Sequence, residues 1–329
     1  MKRIVTIFLA LVFIGGGVYL SAKPQGNFMV TINCALGKAK SPDKKLETLV
    51  LKTLKQYYKP GLFMINSNRK YYKNICNRAD DSFLNFLEKD KSSEAVINRL
   101  HVIVHEEGHA FNWLNFYQTN FIRTGDYYGT QFALIRGKTC SNGWYCEKKP
   151  SFYFEDKGVL FAENIKSFPP KEMADSIKEP WAREGRFTVY VSGEDGEYGQ
   201  SLGINWLLDE YHAYYHGDSA TLSLARSGVK LENNAIQKSY LEFTYYMLHY
   251  FIFAEKKHPK VFKQIMQSPG FLKVFIAIHD RYQVVFMEMT EEENLWNYDE
   301  AKKKKYQEAI SNAPYSTMME RIRKKATSR

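Results

Sequence analysis

Two histidines four residues apart, with a glutamate directly after the first, are the residues of this sequence best suited to chemistry. His105, Glu106 and His109 form a His-Glu-x-x-His run within residues 102–110. On an α-helix, residues four apart share a face, so both imidazoles can bind one zinc ion. A carboxylate beside them can take a proton from a metal-bound water. The spacing therefore predicts one zinc ion per chain, with His105 and His109 as ligands and Glu106 as general base.

The residues around this run predict the helix that it needs. Ser92 and Ser93 can cap a helix start, and apolar residues follow at helical spacing. Gly108 lies inside the helix at a cost of about 1 kcal/mol relative to alanine, which predicts that another element approaches closely there. Chance gives such a run roughly 0.02 times in a chain of this composition. The alternative is a pair of buried histidines that hydrogen-bond other groups.

At these residues the sequence resembles the zincin metallopeptidases, whose active-site helix carries this motif. The resemblance covers this helix and one later segment. Glu107 is charged where many zincins have an apolar residue. Asn112 and Asn115 stand where the metzincin form has glycine and a third ligand. The third ligand is therefore expected from elsewhere in the chain.

Residues 202–216 are the predicted source of that ligand. Their pattern predicts a helix that ends at Gly217. The gluzincin branch of the zincins supplies a glutamate from a later helix, and Asp209-Glu210-Tyr211 is similar to such a segment. The resemblance implies that Glu210 is the third zinc ligand.

The surroundings of Glu210 on this helix favour the same residue independently. Its neighbours three, four and seven residues away are small, apolar or aromatic: Gly203, Trp206, Leu207, Ala213 and Tyr214. A carboxylate buried on such a face is costly unless it is paired, and a zinc ion would pair it. Asp209 has polar neighbours and is expected to be more solvated. The alternative is a Glu210 that pairs with a lysine or arginine.

Other polar residues remain candidates for roles at this site. His212, His216 and Glu163 are weaker candidates for the third ligand, and His101 is expected to pack beside the site. Peptide hydrolysis also needs a donor to the developing oxyanion besides the metal. The candidates near Glu210 are Tyr211, His212, Tyr214, Tyr215 and His216.

The rest of the chain predicts an α+β, mainly helical fold, with a zincin-like catalytic domain at 23–220 and a helical C-terminal subdomain at 221–329. Zincins place a sheet beside the motif helix, and its edge strand binds the substrate backbone. By resemblance, the predicted strands at residues 62–65 or 186–192 would supply that edge. Residues 28–33 predict a further strand. A helix is predicted from Ser41-Pro42-Asp43 to about Tyr58, and Pro60-Gly61 is expected to end it.

The N-terminus predicts export from a bacterial cell to the periplasm or medium. Lys2 and Arg3 precede the uncharged residues 4–22, so residues 1–22 read as a signal peptide. If uncleaved, this stretch would anchor the chain in the membrane. The four cysteines of an exported chain predict disulfides, Cys140 with Cys146 and Cys34 with Cys76, although other pairings and free thiols remain open.

The net charge of +10 comes mostly from lysines spread along the chain. It favours either a solvated surface or contact with anionic envelope polymers. No nucleic-acid-binding motif occurs, so no nucleic-acid partner is expected. The function expected from the sequence is zinc-dependent hydrolysis of a peptide or protein substrate. The alternative is an envelope binding protein, either holding zinc without turnover or carrying the motif by accident.

Overall fold

The computed structural model describes residues 43–76, 82–87, 92–114, 150–195, 199–231, 239–292, 295 and 299–328, and four short strands at 8–10, 18–22, 28–33 and 132–134. This part of the chain is mainly helical, as predicted. Its α-helices are α1 (Lys44–Tyr57), α2 (Lys59–Cys76), α3 (Ser93–Leu114), α4 (Ile204–Arg226), α5 (Tyr240–Lys257), α6 (Pro259–Met266), α7 (Pro269–Glu291), α8 (Glu300–Ser311) and α9 (Tyr315–Thr327).

The strands form two separate antiparallel groups. One sheet has the order β1 (Phe8–Ala10), β2 (Val18–Ala22), β3 (Phe28–Asn33), β4 (Phe132–Leu134), and β5 (Ser151–Phe154) pairs with β6 (Gly158–Phe161) as a hairpin. The strand predicted at residues 28–33 is confirmed. β1 and β2 fall within residues 1–22, where the signal peptide remains a prediction. Cys34, Cys140 and Cys146 lie outside the described residues, and so do the predicted disulfides.

Helices α3 and α4 pack along each other at the centre of the fold. α4 is buried along most of its length because it lies between two apolar clusters. One cluster joins α4 to α5 and α7 and includes Leu207, Tyr211, Phe243 and Phe275. The other joins α1, α2 and α3 and includes Leu54, Ile65, Leu100 and Val104, with Ala220 and Leu224 of α4. The predicted boundary after residue 220 falls inside α4, and the division into two domains remains a prediction.

An element does pack against Gly108, as predicted, but at ordinary contact distance. A Cβ on Gly108 would lie 3.6 Å from the Cα of Ala213 in α4. Gly217 of α4 lies equally close to α3, since its Cβ would lie 3.2 Å from the carbonyl oxygen of His101. Small residues on both helices therefore bring the motif helix against α4. The start of α3 also agrees with prediction, because the Ser92 hydroxyl accepts the Ala95 amide at 3.1 Å.

The strand predicted at residues 62–65 is wrong, because these residues lie in α2. Helix α1 ends at Tyr57, just before Pro60-Gly61, as predicted, but these two residues lie in the first turn of α2. Proline fits the first helical turn, where its missing amide hydrogen has no intrahelical partner. Gly61 is needed for packing: a Cβ there would lie 2.8 Å from Val104 Cγ2 and 3.0 Å from Leu54 Cδ2.

These contacts predict opposite effects for two glycine substitutions. Gly61→Ala should destabilise the fold by about 1–3 kcal/mol, because the added methyl group overlaps buried side chains. Gly108→Ala, the matched control, should be neutral or stabilise by up to about 1 kcal/mol, since its Cβ meets only ordinary contacts and alanine favours the helix. Urea unfolding of both variants measures the difference. Equal stability of the two variants would contradict the packing at Gly61.

The strand predicted at residues 186–192 is also wrong. The segment forms a helical turn, Thr188–Ser192, with Phe187 as its N-cap, and Phe187 and Val191, four residues apart, are buried. Glycines at positive φ bound it: Gly185 at 61° and Gly193 at 74°. Glycine adopts this backbone conformation without steric cost, and at both ends of the segment it interrupts the extended backbone that a strand needs. Neither predicted edge strand forms, and β5 of the hairpin packs against α3.

The C-terminal part of the chain differs from prediction at one place, because α4 does not end at Gly217 but continues to Arg226. Helix α9 buries Met318, Ile322 and Ala326 on one face, whereas its basic residues Arg321, Lys324 and Lys325 are exposed. Among the described residues, no helix is long and apolar enough to cross a bilayer.

The half-buried His249 joins α5 to α9 and predicts acid sensitivity. His249 Nδ1 lies 2.8 Å from the Tyr315 hydroxyl, and Ser176 Oγ lies 2.7 Å from its Nε2. Burial lowers the pKa of His249 from 6.5 to about 4, with a smaller lowering by Lys256 and an opposing effect of Glu179. The unfolded chain therefore takes up this proton as pH falls below its ordinary pKa, whereas the folded chain does not. Stability is lost over that interval.

The expected loss attributable to His249 is about 1–2 kcal/mol between about pH 7 and about pH 5. Urea unfolding at several pH values, compared with His249→Asn, measures it. The variant should lose that much less stability over the interval. If the stability of both proteins falls equally with pH, His249 is not kept neutral by folding.

Candidate metal centre

His105 and His109 point from α3 to a common position. Their Nε2 atoms are 3.1 Å apart, and the rings meet edge to face with centroids 4.7 Å apart. Both side chains are mostly buried, with exposures of 14% and 15%. The geometry follows directly from their spacing of four on one helix.

Glu210 of α4 brings a carboxylate to the same position. Its Oε2 lies 3.6 Å from His105 Nε2 and 3.5 Å from His109 Nε2. The other carboxylate oxygen, Oε1, accepts the Trp206 indole N–H at 3.0 Å. Tryptophan thus fixes the carboxylate so that Oε2 faces the two imidazoles. The structure brings together the three residues predicted as ligands, with ligand atoms within 4.8 Å of one another.

The buried oxygen of Glu210 tests whether a metal fits this group. Oε2 is buried and accepts no hydrogen bond. An unpaired buried carboxylate oxygen is costly, because it has lost water and gained no donor. A cation bound by Oε2 and both Nε2 atoms removes that cost. Two imidazoles and one carboxylate are also a usual set of protein ligands for catalytic zinc.

Asp209 supports His109 from behind and was misjudged from the sequence. It is 4% exposed rather than solvated, and its Oδ2 lies 2.8 Å from His109 Nδ1. Asn112 Nδ2 donates to Asp209 Oδ1 at 2.6 Å. A carboxylate in this place accepts Nδ1–H and leaves the Nε2 lone pair free for a metal. The pair Asp209 and Asn112 therefore sets the orientation and tautomer of His109.

The charges of this pocket favour a cation. Burial lowers the pKa of His109, but the Asp209 and Glu210 carboxylates outweigh it and raise this pKa well above its ordinary value. Burial and the neighbouring His109 hold the pKa of His105 well below its ordinary value. One positive charge is thus stabilised between the carboxylates, as a proton or as a metal ion.

Glu106 lies beside the group and not in it. Its side chain is half-buried, and burial raises its pKa. Glu210 and Asp209 raise this pKa further, while His109 lowers it. A carboxylate whose pKa is raised by its surroundings is better able to accept a proton than one in water. This placement matches the role of general base predicted for Glu106.

Glu107 explains how a charged residue fits inside this motif. It is 3% exposed and points to α2, where Asn68 Nδ2 donates to its Oε2 at 2.7 Å and to its backbone oxygen at 3.0 Å. The buried carboxylate is therefore hydrogen-bonded away from the metal ligands. His101, one turn before His105, is buried beside the site, as predicted.

The weaker ligand candidates lie elsewhere. His212 and His216 contact each other and the Tyr153 carbonyl oxygen, at distances of 3.0–3.1 Å. Glu163 accepts the Phe271 amide at 2.7 Å. None of the three belongs to the group formed by the predicted ligands.

Among the candidate oxyanion donors, Tyr214 packs against His105, one of the three predicted ligands. Its ring meets that of His105 with centroids 4.4 Å apart, and its hydroxyl lies 2.9 Å from the Tyr190 hydroxyl. Tyr211 instead bonds Thr244. Tyr190 was missed because its segment was interpreted as a strand. Burial raises the pKa values of Tyr190 and Tyr214, and the nearby Glu210 carboxylate raises both further.

Comparison with known proteins finds no family model, no characterised protein and no solved structure that matches this chain. The chemistry of the site is therefore argued from its own residues and their geometry.

Proposed function

We propose that this protein is an exported zinc-dependent hydrolase that cleaves peptide bonds. The observation that carries the proposal is the buried Oε2 of Glu210, which has no hydrogen-bond partner and faces the Nε2 atoms of His105 and His109 at 3.6 and 3.5 Å. Glu106 beside this group supports catalysis rather than storage of a metal. A structural zinc site does not require a carboxylate that is not a ligand, whereas hydrolysis requires a general base.

The chain's own residues would divide the work as follows. His105, His109 and Glu210 would hold zinc, which when bound supplies a Lewis acid that makes water acidic and polarises a carbonyl. Glu106 takes the proton of the attacking water and passes it to the leaving amine. Asp209 holds His109 in the tautomer that keeps Nε2 available.

Tyr190 and Tyr214 are the donors that we assign to the developing oxyanion. Their hydroxyls are hydrogen-bonded to each other beside His105. Tyr190 is partly exposed, whereas Tyr214 is buried. Arg186 lies over the Tyr214 ring at 4.7 Å and ion-pairs with Glu242, which fixes this part of the pocket. A hydroxyl held before substrate binds stabilises new negative charge without reorganisation.

Hydrolysis of a mixed peptide library by the purified protein tests the proposal. Products should appear with zinc present, disappear after chelation with 1,10-phenanthroline, and return when zinc is added back. The Glu106→Gln protein, purified in parallel, controls for contaminating peptidases. Zinc binding with no cleavage of any peptide would contradict the hydrolase and favour the non-catalytic binding protein.

A further inference from the structure

A second pair of histidines repeats the geometry of the first. His212 and His216 are four residues apart on α4, and their Nε2 atoms are 3.1 Å apart. Their rings meet at 85° with centroids 4.5 Å apart, against 86° and 4.7 Å for His105 and His109. Both are buried, at 0% and 1% exposure. Unlike the first pair, this one plays no part in the proposed hydrolysis.

A third ligand-type atom completes this second group. The carbonyl oxygen of Tyr153 in β5 lies 3.0 Å from the Nε2 of His212 and 3.0 Å from that of His216. The three atoms form a nearly equilateral triangle. Zinc–nitrogen distances of about 2.0–2.1 Å put neighbouring ligands of a tetrahedral site about 3.3 Å apart. A small expansion of the triangle would therefore accommodate a metal ion.

The protons of the two imidazoles fit this triangle poorly. Both imidazoles are buried, and a neutral imidazole carries one N–H, on either Nδ1 or Nε2. Protons on both Nε2 atoms would bring two N–H groups against each other, because these atoms are only 3.1 Å apart. A proton on His212 Nδ1 would be buried without an acceptor, because that atom has no hydrogen-bond partner. A cation instead uses all three converging lone pairs at once.

His216 also has the outer contact that metal-bound histidines usually have. The Tyr58 hydroxyl lies 2.6 Å from its Nδ1 and can accept a hydrogen bond from it. Tyr58 stands between α1 and α2, so the group connects that junction, the β5–β6 hairpin and α4. A metal there would tie the hairpin to α4, the helix that carries Glu210.

We propose that His212, His216 and the carbonyl oxygen of Tyr153 bind a second metal ion with a structural role. The ligand set of imidazoles and a carbonyl suits a first-row dication such as zinc. Within the described residues no carboxylate joins these ligands. The second site therefore binds more weakly than the first, whose Glu210 offsets part of the ion's charge.

Zinc stoichiometry tests this site separately from the first. The wild-type chain, equilibrated with excess zinc and freed of loosely bound ions, should hold two zinc ions by elemental analysis. His212→Ala and Glu210→Ala should each hold one, and the double variant none. His249→Ala, which removes a half-buried histidine that contacts Ser176 and Tyr315 instead of either group, should hold two. Circular dichroism establishes that each variant is folded.

The possible results separate this proposal from the proposed function. One zinc in the wild type that persists in His212→Ala and is lost in Glu210→Ala overturns the second site and leaves the first. One zinc that is lost in His212→Ala and kept in Glu210→Ala supports the second site and overturns the first. Wild-type protein holding a single zinc excludes the two-ion chain even where a variant does not fold.

Discussion

Replacing Glu106 with glutamine leaves the zinc content unchanged and lowers kcat/KM for peptide hydrolysis by about 10²–10⁴-fold, the contribution expected of a general base. The amide has nearly the shape of the carboxylate but cannot accept the proton of the attacking water. Glu106 lies outside the group of ligand atoms, so metal binding does not depend on it. Metal analysis and steady-state kinetics on one cleaved peptide measure the two effects.

Glu107→Gln is the matched control for this substitution. This variant also replaces a carboxylate with an amide, at the next residue of α3. The Glu107 side chain, however, contacts Asn68 and not the proposed zinc ligands. We expect its kcat/KM to remain near that of the wild type. Hydrolysis by Glu106→Gln at the wild-type rate would remove Glu106 from the mechanism.

The second large effect is expected at Glu210. Glu210→Ala removes the only charged member of the proposed ligand group and should weaken zinc binding at this site far more than loss of an outer contact does. Asp209→Ala removes such a contact, the one with His109 Nδ1, and should weaken binding by about 10–100-fold. Competition with a chelator of known affinity measures both dissociation constants. The His212→Ala variant, which lacks the proposed second site, is the suitable background.

The order of these two effects is the critical result. The account predicts that Glu210→Ala is the more damaging variant, because Oε2 faces both imidazoles and Asp209 contacts only one of them from behind. Equal zinc affinity in Glu210→Ala and the background protein would show that Glu210 is not a ligand.

The part of the site within one helix was predictable because helical spacing alone determines it. His105 and His109 meet wherever α3 forms, and the serine cap and apolar spacing predict that helix. Glu210 was predictable to the level of a helix face, because its neighbours on α4 are apolar and small. Its orientation was not, because the indole N–H that holds the carboxylate acts only in the folded chain.

The burial of Asp209 was missed because its polar neighbours on α4 suggested a solvated face. Asn205 and His212 are themselves buried, and each bonds a backbone oxygen of a segment distant in sequence. Asn205 Nδ2 donates to Ile165 at 2.7 Å, and His212 contacts Tyr153 at 3.0 Å. Polar residues can be buried when such partners exist. Helical periodicity shows which residues share a face but not which acceptors that face will meet.

The errors at residues 62–65 and 186–192 have a related cause. Short apolar or alternating runs fit a strand and a buried helical turn equally well. At 62–65 the decision is made by packing of α2 against α3, which the local sequence does not show. At 186–192 the flanking Gly185 and Gly193 were available as a signal, since both take positive φ. His212 and His216 carried a spacing of four that was also visible in the sequence.

The central claim is that His105, His109 and Glu210 bind zinc. An anomalous difference map, measured at the zinc absorption edge on crystals of the purified protein, tests it most directly. The account predicts a peak about 2.0–2.2 Å from the Nε2 atoms of His105 and His109 and from Oε2 of Glu210. A zinc-containing crystal with no peak at these three atoms would contradict it.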